Sequence, residues 1–92
     1  MIEVSAGVAK VSGPMTLTSA KALLEQGVSL LSGSITGFDL AAVSDVDSSG
    51  LAVVFGWLRE AKRLDKNVHI LHLPNNLTSL AEVYGVSDLL PA

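Results

Sequence analysis

The chain has 92 residues, of which 49% are hydrophobic and 16% charged, with no cysteine and a formal net charge of −3. This length suits one domain with a small core, and the apolar share excludes a disordered chain. The acidic balance argues against nucleic acid as a partner, and the lack of cysteine excludes a disulfide framework and thiol chemistry. No stretch approaches the ~18 apolar residues of a membrane span. The N-terminus has no basic segment followed by a long apolar run, so it does not read as a signal peptide. The expectation is a cytoplasmic protein that reaches a membrane only through a partner.

In chain order, Ile2-Glu3-Val4 and Val8 to Val11 alternate around Ser5-Ala6-Gly7, which predicts a short hairpin ended by Ser12-Gly13-Pro14. Thr16 or Thr18 can cap a helix from about Ser19 to Leu31, with a weak point at Gly27. Ile35 to Val43 is largely apolar and reads as a strand covered on both faces. Ser44 to Gly50 reads as a turn, and a helix follows from Leu51 to about Leu64. Val68 to Leu73 is a short strand, and Asn75 or Asn76 can cap a last helix from Leu77 to Tyr84 that stops at Gly85. The order β-β-α-β-α-β-α predicts an α/β layer protein. Its four-stranded mixed sheet has one antiparallel edge and three helices.

The catalytic signals are missing. His69 and His72 lie three apart in a strand and point to opposite faces, so they do not share a metal. Asp45 and Asp47 share a turn without a visible third ligand. There is no phosphate loop, no HExxH and no nucleophile elbow around Ser48. The reading is a non-enzymatic chain with no cofactor and no metal. Four of the six basic residues, Arg59, Lys62, Arg63 and Lys66, fall together near the end of the central helix, where cations complement the dipole.

The run Asp45-Val46-Asp47-Ser48-Ser49-Gly50-Leu51, between an apolar strand and an amphipathic helix ending Ala61-Lys62-Arg63, resembles the STAS domain of sulfate transporters and anti-sigma factor antagonists. The element order matches that family; the resemblance covers most of the chain, is strongest from Phe38 to Leu73, and implies one STAS domain over residues 1–92. Two branches fit. In anti-sigma factor antagonists a partner serine kinase phosphorylates the serine after the aspartate, which is Ser48 here. In the MlaB-like group, small subunits of ABC systems that move phospholipid, the same loop and helix dock on the ATPase. The short chain and the ending Leu80 to Pro91 favour the second branch, while Ser48-Ser49 is more like the antagonists. The resemblance thus implies an ABC transporter ATPase as partner, or alternatively an anti-sigma factor and its kinase. An anion or nucleotide at the helix N-terminus is a third reading.

On the central helix, Leu51, Val54, Phe55, Leu58 and Ala61 form a stripe predicted to face the sheet. The opposite face carries Val53, Gly56, Trp57, Glu60 and Leu64. An apolar outer face marks a partner site, with Trp57 as anchor. Ser48 is expected to start the helix with its hydroxyl exposed, as cap or phospho-acceptor, beside Asp45, Asp47, Ser49 and Gly50.

Overall fold

A computed structural model describes residues 1–90. The strands are β1 (Ile2–Ser5), β2 (Val8–Met15), β3 (Gly37–Val46) and β4 (His69–Leu71), and the helices are α1 (Leu17–Leu30), α2 (Ser48–Arg63) and α3 (Asn75–Val83). A single 3-10 turn, Ser87–Leu89, follows α3. The sheet order is β1-β2-β3-β4, with β1 antiparallel to β2 and the other two pairs parallel. The predicted four-stranded mixed sheet with three helices is therefore present, in the predicted order.

The sheet is covered on one face. Ala9, Val11, Met15, Phe38 and Leu40 are buried, while Lys10, Ala41 and Ala42 are exposed. Alternation of this kind places β2 and β3 with one side on the core and one in water. The expectation of a strand buried on both faces is corrected: alanines at 41 and 42 are small enough to stand in water and carried no directional signal. Asp39 belongs to this open face. Its Oδ1 accepts from the Ala41 N–H at 2.9 Å and pairs with His72 Nδ1 at 2.9 Å. The Ala41 N–H and then His72 hold the Asp39 carboxyl below the usual carboxylate range. His69 and His72 are both exposed, and His72 lies past the end of β4 in the left-handed region, with φ 56°.

Several element boundaries differ from expectation: β2 runs through Ser12-Gly13-Pro14 to Met15, β3 begins at Gly37, α2 begins at Ser48, β4 is only His69–Leu71, and α3 begins at Asn75 with Pro74 rather than an asparagine as its N-cap. α1 starts at Leu17, two residues early, because Ser19 Oγ accepts from the Thr16 N–H at 3.0 Å and closes a capping box there. β3 runs on to Val46, through what reads as a turn, because Met15 at the end of β2 still pairs with Val46. The last helix ends as predicted, with Gly85 at φ 70° just beyond it.

Candidate functional site: the paired N-termini of α1 and α2

β3 delivers the chain from Asp45 into α2 in three residues. Asp45 is exposed near the strand's end, Asp47 precedes the helix, and Ser48 is its first residue, exposed as expected. The cap is Asp47, not Ser48. Asp47 Oδ1 accepts from the Ser49 N–H at 2.8 Å and the Gly50 N–H at 3.3 Å, and so satisfies two of the helix's orphan donors. Ser48 is one position too late to reach them. Among the described residues its hydroxyl has no hydrogen-bond partner within the chain. Partial burial opposes the charge of Asp47, but donation from Leu17, Ser49 and Gly50 outweighs it and holds its pKa below the ordinary carboxylate value.

Gly50 is buried against the end of β2: a Cβ there would stand 2.3 Å from the Met15 carbonyl oxygen. A side chain would push against backbone, so glycine sets how closely α2 enters over the sheet. Ser49 is half-buried and turned toward α1.

The expected partner face of α2 is corrected at its anchor, Trp57. Trp57 is fully buried and Val53 is 3% exposed, while Gly56 and Glu60 are half-buried. The Trp57 ring stacks on Phe38 of β3 with centroids 4.3 Å apart and planes 4° from parallel. Its Nε1 donates to the Leu23 carbonyl oxygen of α1 at 3.1 Å. A buried indole needs such an acceptor. The helix packs on the sheet, on α1 and on α3, so its buried arc is wider than one stripe and takes in the face that reads as outer. Gly27 is the complementary feature on α1: a Cβ there would lie 2.0 Å from Trp57 Nε1. Of the stripe expected to face the sheet, Leu51, Val54 and Ala61 are buried, and Phe55 and Leu58 are half-buried. Glu60 pairs with Arg63 on its own helix.

What remains open near Ser48 lies between the helices. Ala20, Lys21, Leu24, Ser49, Ala52 and Val53 line a largely apolar groove of about 320 Å³. It borders a second groove of about 370 Å³ that runs past Gly56 to Arg59 and Arg63. Leu17, in the first turn of α1, is 76% exposed. The sequence marked Ser48 but not Leu17, Ala20, Lys21, Leu24 or Ala52. An exposed leucine in a helical run has the same pattern as a buried one, and only the packing separates them.

The family profile described as "Mlab, STAS domain" matches residues 2–91. The chain belongs to the STAS family. Among curated relatives, the intermembrane phospholipid transport system binding protein MlaB of Haemophilus influenzae is 35% identical over 60 residues, which are 65% of this STAS chain and 57% of that protein. An anti-sigma-B factor antagonist of Staphylococcus epidermidis is 36% identical over 52 residues, 56% of this chain and 48% of that one. The matched region thus spans about half the length of the curated relatives. Among solved structures, the Bacillus cell fate determinant SpoIIAA in its phosphorylated form superposes with a TM-score of 0.69 at 16% identity, covering 99% of this chain and 87% of that one. Its unphosphorylated form gives 0.66 at 17% identity, covering 89% and 80%. These two likenesses are of fold. Among the described residues no helix of this STAS chain is long and apolar enough to cross a membrane.

Proposed function

We propose that this chain is a non-enzymatic docking subunit that binds the ATPase of an ABC-type phospholipid transport system, and that it does so in the cytoplasm. The observation that carries the reading is the surface at the α1 and α2 N-termini. It combines an unengaged Ser48 hydroxyl, the exposed Asp45 carboxylate, an exposed Leu17 and an apolar groove. An apolar patch edged by polar groups is what a protein partner uses, while nothing there gathers the nucleophile, base and oxyanion donors of an enzyme. The MlaB relative, which belongs to a phospholipid transport system, supports this choice of partner. The docking residues are Asp45, Ser48, Leu17 and the groove walls. Trp57 acts beneath them by holding α1 against α2.

The test is capture with a tagged chain from its own cells. The reading expects a stoichiometric ABC ATPase, identified by mass spectrometry, that is retained by wild type and lost by Ser48→Asp. Wild type that brings down no ABC ATPase contradicts it.

One observation favours a second reading, an anti-sigma factor antagonist switched at Ser48. Because Asp47 is the cap, Ser48 is free to be modified without uncapping α2. A phosphate there would gain from the helix dipole but stand beside Asp45 and Asp47. The antagonist relative supports this branch. A stoichiometric phosphate on Ser48, with a serine kinase in the captured material, would decide for it.

A further inference from the structure

Asp47 does more than cap its own helix. Its Oδ1 serves α2, and its Oδ2 accepts from the backbone N–H of Leu17, the first residue of α1, at 3.0 Å. An ordinary N-cap satisfies donors of the helix it begins. Here one carboxylate holds N–H groups from the first turns of two helices, across 30 residues of sequence. The capping box of α1 accounts for the N–H groups of Thr16 and Ser19, and the Leu17 N–H is met by Asp47. The residue fastened in this way is the most exposed leucine among those described. Its side chain contributes little to the core, yet its backbone N–H is held by the residue that caps α2.

We propose that Asp47 is a positioning residue for docking: it ties the first turn of α1 to that of α2, so that Leu17 and Ser48 meet the partner as one rigid surface, with Leu17 its apolar anchor. This rests on the docking function proposed above. The partner surface that fits is a pocket for one leucine with a cation opposite the exposed Asp45, on the ATPase. Holding an anchor in place before binding removes part of the ordering entropy that association must otherwise overcome.

Asp47→Asn separates the two duties. A carboxamide keeps one acceptor oxygen, which suffices to cap α2, but its second group is a donor and cannot accept the Leu17 N–H. In the free variant, amide exchange followed by NMR should quicken at Leu17 while Ser49 and Gly50 keep their wild-type rates. Against the purified ATPase, Asp47→Asn and Leu17→Ser should each weaken binding about tenfold or more, as loss of an interface anchor does. The double variant should bind no more weakly than Leu17→Ser, since the tether acts through Leu17. Unchanged exchange at Leu17, wild-type binding by Asp47→Asn, or losses that multiply in the double variant would each overturn the proposal. So would wild-type self-association that Leu17→Ser abolishes without the ATPase present, because the anchor would then serve a second copy. If wild type fails to bind the ATPase, the docking function falls instead, and the exchange result still decides whether the tether exists.

Discussion

At the scale of single residues, the division of labour between Asp47 and Ser48 sets the expectations. Since Asp47 caps α2, Ser48→Ala removes no cap and should change stability by less than about 0.5 kcal/mol, as surface substitutions do. Denaturant melts of the two proteins check this, and a loss as large as a core truncation would return Ser48 to a structural role. Ser48→Asp should fold equally well, because a negative charge suits the start of a helix, and its effect should appear only in partner binding. Trp57 behaves in the opposite way. It is wholly buried, stacked on Phe38 and bonded to Leu23, so Trp57→Ala should cost roughly 3–5 kcal/mol. A folded Trp57→Ala monomer of wild-type stability would contradict that placement.

At the scale of elements, the interface between α1 and α2 is built on two glycines with different neighbours. A Cβ at Gly27 meets the ring of Trp57 at 2.0 Å, and one at Gly56 meets Leu24 Cδ1 at 2.6 Å. The ring is fully buried and cannot move aside, whereas Leu24 is half-buried and can change rotamer. Both substitutions to alanine gain about 1 kcal/mol of helix propensity. Gly27→Ala should still be destabilising, by roughly 1–3 kcal/mol of overpacking, while Gly56→Ala should be close to neutral. Thermal melts of the pair test whether the helices pack as described; equal effects would speak against it. The same interface shows what was legible in the sequence. Strand and helix order followed from periodicity and turn residues, since both report local geometry. The faces of α2 did not, because a wheel drawn from one stripe assumes one packing partner, and this helix packs on the sheet, α1 and α3. Gly27 reads as a flaw in α1 until Trp57 is seen against it. Asp47 was placed in the right loop, but the step from Ser48 to Asp47 as cap depended on β3 continuing to Val46, which a run of Ser and Asp disguises. Leu17 was invisible as a surface residue for the reason that makes leucine ambiguous anywhere: its side chain carries no mark of which way it faces.

At the scale of the molecule, acid should loosen the fold through carboxylates that tie elements together. Asp47 links α1 to α2, and Asp39 links the Ala41 backbone of β3 to His72 beyond β4. Both have folded pKa values lowered from the ordinary one. A lowered folded value means that the stabilisation is fully present above the unfolded value, about pH 4, and is lost as pH falls through the folded value. The difference in stability between wild type and Asp47→Asn should therefore be largest near neutrality and narrow below about pH 4. Urea midpoints measured from pH 7 down to acid give the comparison, and a gap that widens on acidification has the wrong sign for this account.

A docking surface at the paired helix starts that serves an ABC ATPase is the central proposal. Its most direct measurement is the affinity of the purified ATPase for wild type, Ser48→Asp and Lys62→Glu. Lys62 lies exposed near the far end of α2, away from Asp45, Ser48 and Leu17. Wild type and Lys62→Glu should bind alike, and Ser48→Asp should lose binding. Binding that survives Ser48→Asp but fails in Lys62→Glu would move the surface to the other end of the helix and contradict the proposal.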